Sequence, residues 1–127
     1  MKILLAEDDS SISAIAELAL SKVGGHEVVT VKDGQELIDC VHRVKPDLIL
    51  LDVMMPRMDG FETCARLKAD EATKSIPVLF LTAKAQTHEQ QHGMTLGAMG
   101  YILKPFDPMT LHTQIDEVLH ANAKASA

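Results

Sequence analysis

An unbroken apolar run, Leu48 to Leu51, ends on an acidic residue, Asp52, and leads into a loop that carries Pro56 and Gly60. An apolar run this short and without alternation predicts a strand covered on both faces, as in the centre of a parallel sheet. Open α/β sheets bind their ligands beyond the carboxyl ends of such strands. Asp52 is therefore the first candidate for a functional residue.

Strand-like and helical segments alternate along the whole chain. Apolar or β-branched runs predict the other strands at 3–6, 27–31, 77–81 and 101–103. Apolar residues at helical spacing predict helices at 12–23, 35–44 and 61–69, a polar helix at 87–99, and a closing helix that starts at Asp107-Pro108. Five such units predict an α/β fold: a doubly wound, five-stranded parallel sheet with five helices and the flavodoxin-like strand order 2-1-3-4-5.

Length and charge limit what such a fold can do. A chain of 127 residues fits one domain, which we place at residues 1–121 with a short flexible tail at 122–127. The formal charge of −6 argues against a direct nucleic-acid partner or a membrane surface, because both require positive potential. Cys40 and Cys64 lack metal-ligand spacing, and no signal peptide is evident, so we expect reduced, half-buried thiols in a cytoplasmic protein.

Polar residues follow four of the predicted strands. Because the carboxyl ends of parallel strands meet at one edge of a sheet, these side chains should lie close together. Three clustered carboxylates repel one another unless a cation neutralises them, and Mg²⁺ prefers oxygen ligands while leaving positions open to phosphate oxygens. The residues, in strand order, are Glu7 and Asp8 after the first, Asp52 after the third, Thr82 after the fourth and Lys104 after the fifth.

The accompanying hydroxyl and ammonium groups narrow the chemistry. Lys104 and Mg²⁺ are charges suited to phosphoryl oxygens, and the Thr82 hydroxyl can donate a hydrogen bond to another. A central carboxylate can act as a nucleophile and form an aspartyl phosphate. The sequence thus predicts phosphoryl transfer to Asp52, assisted by Thr82 and Lys104.

The chain carries four motifs in this order: the acid pair Glu7-Asp8, the run LLDVMMPRMDG, the strand-end pair Thr82-Ala83, and YILKPF at 101–106. Together they resemble the receiver domain of two-component response regulators. The resemblance extends from Lys2 to about His120 and implies a chemotaxis-regulator-like signalling switch rather than a metabolic enzyme. It implies that Asp52 accepts a phosphoryl group from a phosphohistidine of a sensor kinase or phosphotransfer protein.

The same resemblance implies a set of magnesium ligands. Asp8 would bind Mg²⁺ directly and Glu7 largely through water. Asp52 and the backbone carbonyl of Met54 would complete the protein ligands. The Lys104-Pro105 peptide bond would be cis.

The resemblance also implies how the signal leaves the domain. Thr82 would move toward the phosphoryl group while Tyr101 turns inward, which reshapes the face formed by the fourth helix, fifth strand and fifth helix for a downstream protein target. Dimerising DNA-binding members carry acids before the last strand and Arg in the last helix, whereas this chain has Met99-Gly100 and no such Arg. We therefore expect a monomer or weak dimer that acts as a stand-alone receiver. The alternative is a receiver cut from a longer regulator with an effector domain.

Two enzymatic alternatives compete with this interpretation. The segment HEQQH at 88–92 satisfies the H-E-x-x-H pattern of zinc peptidases, but Gly93 follows it and no nearby pattern supplies a third zinc ligand. Haloacid-dehalogenase-like phosphatases also use a strand-end Asp, but they place a second Asp two positions later. Met54 occupies that position here and cannot transfer protons.

Overall fold

The structure is a computed structural model that describes the backbone of residues 1–83 and 87–126 and the side chains of residues 1–83 and 90–121. The strands are β1 (Lys2–Ala6), β2 (Glu27–Val31), β3 (Leu48–Asp52), β4 (Val78–Thr82) and β5 (Gly100–Leu103). The helices are α1 (Ser10–Leu18), continued by a π-helical turn at Ala19–Val23, α2 (Gly34–Val44), α3 (Gly60–Ala69), α4 (Thr87–Thr95) and α5 (Leu111–Ser126).

The five strands form one parallel sheet in the order β2-β1-β3-β4-β5, which confirms the predicted fold class. Their carboxyl ends are in register: Ala6 lies opposite Leu51, and Asp52 lies opposite Leu81. This alignment brings the residues that follow the strands to a single edge of the sheet.

Apolar layers cover both faces of the central strands, as the run at Leu48–Leu51 predicts. All four of these side chains are fully buried. Ile49 and Leu51 pack in one core cluster with α2 and α3 side chains, and Leu48 and Leu50 pack in the other with side chains of α1 and α5. Since burying one Leu stabilises a fold by roughly 1.5–3 kcal/mol, this strand fixes the backbone position of Asp52 firmly.

Helix α1 is less buried than its apolar spacing suggests. Asp9 caps it by accepting hydrogen bonds from the amides of Ser11 and Ile12. Ile15 and Leu18 are nevertheless 45% and 57% exposed. The buried residues of this segment are Ala16 in α1 and Ala19 and Leu20 in the π-helical turn that follows it.

The end of α4 differs from the prediction, which extended this helix to residue 99. The helix ends at Thr95, and Gly97 adopts a positive φ of 105° directly after it. The amide of Gly97 donates to the Met94 carbonyl at 3.0 Å. A glycine in this conformation reverses the chain and ends a helix.

The start of α5 also differs from the prediction. The helix begins at Leu111, because Asp107 forms a turn in which its side chain accepts from the Met109 amide and its carbonyl accepts from the Thr110 amide. The backbone remains helical to Ser126, beyond the boundary placed at residue 121. The division into a domain and a tail stays a prediction.

Both cysteines are buried and unpaired, so they are more enclosed than the half-buried thiols expected. Burial raises the pKa of each thiol. In the part of the chain that the structure describes, none of the helices has both the length and the apolar composition needed to cross a bilayer.

Candidate functional site

The structure brings the predicted carboxylates together at the carboxyl edge of the sheet. Glu7 and Asp52 are only 2% and 3% exposed, whereas Asp8 is open to solvent. One oxygen from each of the three acids lies within 4.8 Å of the others. Among the residues whose side chains are described, this is the one group of three or more acid, His or Cys residues that could hold a metal ion.

Lys104 joins the two buried acids. Its Nζ donates to Glu7 Oε1 at 3.0 Å and to Asp52 Oδ1 at 3.1 Å. The backbone amide of Lys104 donates to the Thr82 carbonyl at 2.8 Å, which places Lys104 beside the end of β4. The Lys104–Pro105 peptide bond is cis, as the family resemblance implies.

The buried charges alter one another's ionisation. Burial raises the pKa of Glu7, and its hydrogen bond with Asp52 raises it further, while Lys104 opposes both effects. Burial alone would lower the pKa of Lys104, but the hydrogen bonds and charges of Glu7 and Asp52 outweigh burial and raise it. The ammonium group therefore stays charged, and it compensates only part of the negative charge of the site.

Of the remaining predicted site residues, Thr82 and Met54 lie beside this cluster, whereas Tyr101 lies within β5. Thr82 is buried at the end of β4, one residue after the partner of Asp52 in the sheet. The Met54 amide donates to Asp52 Oδ1 at 3.3 Å, and its side chain is exposed. Tyr101 lies on β5 opposite Phe80, half-buried against the core, and this burial raises its pKa.

A loop after Asp52, here called the acceptor loop (residues 53–59), returns the chain to α3. Met58 is buried within it, and the Gly60 amide donates to the Val53 carbonyl at 3.0 Å. A Cβ on Gly60 would collide with the Asp52 carbonyl and lie 2.9 Å from the Val53 Cα. Glycine is thus required where the loop passes close behind the candidate nucleophile.

Sequence reasoning did not predict one ion pair, which joins the acceptor loop to the start of α2. Arg57 binds Asp33, a buried residue that caps α2. The two residues are far apart in the sequence and follow no periodic pattern. The N-cap position of Asp33 before α2 is the only sequence signal, and it does not indicate Arg57 as a partner.

The H-E-x-x-H segment remains untested, because the side chains of His88 and Glu89 lie outside the described residues. The ring of His92, the last residue of the pattern, contacts the ring of Phe61 at a centroid distance of 4.7 Å. This contact places His92 against α3 rather than beside the acidic cluster.

The model of the family described as "response regulator receiver domain" matches residues 3–116. The chain belongs to this family. The receiver identity agrees with the sheet order and with the acidic edge described above.

Curated relatives of this receiver include longer regulators. The probable transcriptional regulator ycf27 of Guillardia theta is 38% identical over 125 residues, which cover 98% of this chain and 48% of that protein. The DNA-binding dual master transcriptional regulator RpaA of Synechocystis is 42% identical over 106 residues, which cover 84% of this chain and 44% of that protein. The receiver thus spans about half the length of these relatives, and the expectation of no nucleic-acid contact stays a prediction.

Solved receiver structures match over most of their length. The chemotaxis response regulator CheY4 of Vibrio cholerae has a TM-score of 0.86 and 34% identity, and the match covers 92% of this chain and 97% of CheY4. The phosphorylated cyanobacterial phytochrome response regulator RcpA has a TM-score of 0.79 and 33% identity, with coverage of 92% and 89%.

Proposed function

We propose that this receiver accepts a phosphoryl group on Asp52 from a phosphohistidine of a sensor kinase or phosphotransfer protein, with Mg²⁺ bound at the acidic edge. The observation that carries this proposal is the Lys104 ammonium group between two buried carboxylates, with Asp8 beside them. Such a cluster is costly to maintain without a role for its charge. The receiver is a signalling protein, and the one reaction that it promotes is its own modification.

The chemistry needs few steps. An oxygen of the Asp52 carboxylate attacks phosphorus and forms a P–O bond. The P–N bond to the donor histidine breaks, and its electron pair remains on the imidazole nitrogen. Lys104 is positioned to contact the developing charge on the phosphoryl group, and Thr82 supplies a hydroxyl near the same strand end.

The residues present fit a magnesium ion. Three carboxylates converge within 4.8 Å, two of them buried, and all offer the hard oxygen donors that Mg²⁺ prefers. Glu7, Asp8, Asp52 and the Met54 carbonyl would hold the ion. Magnesium would supply positive charge for the phosphoryl oxygens.

An apolar depression beside Lys104 supports a protein as the phosphoryl donor. It has a volume of about 400 Å³ and is lined by Ile12, Ile15 and Phe106 together with Pro105. A partially exposed apolar surface next to a charged site is typical of a protein interface. We propose that the kinase or phosphotransfer partner covers this depression during transfer.

The output is proposed to pass through the face formed by α4, β5 and α5. Tyr101 is half-buried on this face and Thr82 ends the neighbouring strand, so a movement of Thr82 toward a phosphoryl group can change the packing of Tyr101. The receiver acts alone on a protein target or within a longer regulator. The DNA-binding relative favours transcription as the output in the second case.

Acetyl phosphate labelling tests the central claim. With Mg²⁺, the wild-type protein should gain one phosphoryl group by intact mass spectrometry, and Asp52→Asn should gain none. Asp47→Asn is the matched control, because Asp47 lies at the opposite end of β3 and its side chain contacts Lys2. Equal labelling of Asp52→Asn and wild type would refute Asp52 as the acceptor.

Thermal unfolding tests the metal site independently. Mg²⁺ at a hundred times its Kd should stabilise the wild type by about 2.7 kcal/mol. Asp8→Asn should lose most of this shift, and Asp9→Asn should keep it because Asn also caps a helix well. A shift of equal size in all three proteins would exclude Asp8 as a ligand.

Hydrogen exchange tests the output face. With beryllofluoride and Mg²⁺ as a phosphoryl mimic, exchange rates in α4 and β5 should change more than those in α2.

The alternative enzymes make different predictions. A zinc peptidase would bind stoichiometric zinc and lose cleavage on His88→Ala, and a phosphatase would hydrolyse phosphomonoesters with many turnovers.

A further inference from the structure

The ion pair between Arg57 and Asp33 connects the acceptor loop to α2. Asp33 Oδ2 accepts from Arg57 Nε at 3.0 Å and from Arg57 Nη2 at 2.7 Å. Asp33 Oδ1 accepts from the Glu36 amide at 2.9 Å. One buried carboxylate therefore caps a helix with one oxygen and holds the loop with the other.

The backbone of Arg57, which makes this ion pair, lies in a conformation that is uncommon for residues other than glycine. Its φ is +65°, in the left-handed region that Gly and Asn adopt more easily than Arg. An Arg at this position raises the cost of the loop conformation relative to Gly. The two hydrogen bonds to Asp33 offset that cost and select this conformation.

A close backbone contact lies beside the ion pair. A Cβ on Gly34, the residue after Asp33, would lie 2.9 Å from the Met58 carbonyl and would collide with Thr63 Oγ1. The loop therefore approaches the start of α2 at Arg57 and at the residue that follows it. At its other end the Met54 amide donates to Asp52 Oδ1.

We propose that Arg57 and Asp33 form a positioning pair that holds the acceptor loop so that the Met54 carbonyl stays in place as a magnesium ligand. This inference rests on the proposed function, since it concerns the ligand set of the same site. Neither residue touches the reacting atoms. Their effect is on the affinity for Mg²⁺ and not on the transfer step once Mg²⁺ is bound.

The direction in which the Mg²⁺ affinity changes distinguishes a positioning role from a long-range effect of net charge. Arg57→Asn makes the protein one unit more negative, and long-range attraction alone would strengthen Mg²⁺ binding. Asp33→Asn makes it one unit more positive and would weaken binding by the same argument. Positioning predicts weaker binding for both variants. Asn is suited to each site, because it tolerates positive φ at position 57 and caps a helix at position 33.

The experiment measures two quantities against Mg²⁺ concentration: the Mg²⁺-induced shift in thermal unfolding, which reports binding directly, and the initial rate of acetyl phosphate labelling. We expect the half-saturating Mg²⁺ concentration to rise roughly tenfold for Arg57→Asn and Asp33→Asn, the lower end of the range for residues that support metal ligands. The rate at saturating Mg²⁺ should stay within about twofold of wild type. The matched control is Arg66→Asn, which removes a cation from an exposed pair with Glu62 on α3 and should leave the half-saturation unchanged.

Further variants keep the test decisive. Arg57→Lys retains the charge and should recover part of the Mg²⁺ affinity, and the double Asn variant should be no weaker than the single variants. If Arg57→Asn does not fold, Arg57→Gly accepts the same φ and replaces it. Unchanged half-saturation in the folded variants, or shifts of opposite sign that follow net charge, would overturn the positioning role. Absence of wild-type labelling would instead overturn the proposed function.

Discussion

Helices α3 and α4 flank the same edge of the sheet but are held in different ways. In α3, the side chains of Thr63, Cys64 and Leu67 are buried, and Asp59 caps the helix through the Glu62 amide at 2.8 Å. In α4, Gly93 is the one buried residue among the described residues 90–95, and a glycine has no side chain to pack. Helix α3, which follows the acceptor loop, is therefore held by several buried side chains. Helix α4, which follows β4, buries less apolar surface among its described residues.

This difference fits a switch that must be rigid where it is modified and adaptable where it is read. Phosphoryl transfer requires ligands and nucleophile in fixed positions, and the proposed ones lie beside β1, β3 and the acceptor loop. A change of packing requires an element with a small free energy of displacement, and α4 has few buried side chains among those described. The contrast can be tested by paired substitutions in the two regions.

The largest expected difference is between two apolar truncations. Leu67→Ala should destabilise the protein by about 2–5 kcal/mol, because Leu67 is fully enclosed in α3 and leaves a cavity. Met94→Ala in α4 should cost less, at about 0.5 kcal/mol, because Met94 is already 46% exposed. Urea unfolding of both variants measures the two costs. Equal costs would remove the basis of the comparison.

Two glycines provide a second pair. The Cβ of Gly34→Ala would press against the backbone carbonyl of Met58 and the buried side chain of Thr63. This crowding should lower the free energy of unfolding by about 1–3 kcal/mol. Gly93→Ala would meet the Phe80 ring edge at 2.8 Å, but α4 can shift outward and gains up to about 1 kcal/mol of helix propensity. Gly93→Ala should therefore remain closer to wild type in thermal unfolding. A larger loss for Gly93→Ala than for Gly34→Ala would show that α4 is the more firmly packed helix.

The smallest expected effect concerns how the ion pair between Asp33 and Arg57 changes protein stability with pH. The Glu36 amide, followed by Arg57, holds the pKa of Asp33 below its ordinary value of 3.8. A lowered pKa stabilises the folded state above pH 3.8, and this contribution is lost as the pH falls through the folded-state pKa. Asp33→Asn should therefore unfold at a lower urea concentration than wild type at pH 7.

The difference between Asp33→Asn and wild type should shrink as the pH falls below 3.8. Asp70→Asn serves as the control, because the pKa of Asp70 is also lowered, by the Ala72 amide and then by His42, but the Asp70 side chain is 42% exposed. The control should show a smaller dependence on pH. A difference between Asp33→Asn and wild type that stays constant down to pH 3 would mean that the charge of Asp33 does not stabilise the fold.

Much of the fold and the candidate site could be predicted because the signals are local. The apolar run at Leu48–Leu51 predicted a central strand, and the positions of Glu7, Thr82 and Lys104 after other strands predicted their convergence. The roles of these residues in phosphoryl transfer stay predictions. The predicted end of α4 and the predicted start of α5 were wrong, since Gly97 and the Asp107 turn set them through backbone conformation.

The apolar spacing of α1 showed a further limit. Ile15 and Leu18 follow a helical repeat, yet both are exposed, because a repeat indicates a shared face and not what covers it. The ion pair between Arg57 and Asp33 was also missed. It depends on two loops that meet only after β3 has been placed beside β1.

The amino-acid sequence by itself determined the alternation of strands and helices, and with it the edge at which Glu7, Asp52 and Lys104 meet. The alternation follows from the hydrophobic period, which is read over a few residues. The shared edge then follows from the general rule that parallel strands joined by crossovers end on the same side of a sheet. The tertiary structure alone decided that Lys104 bridges two buried acids and that Asp33 holds the acceptor loop. Such contacts depend on distances between segments far apart in the chain, and no local preference encodes those distances.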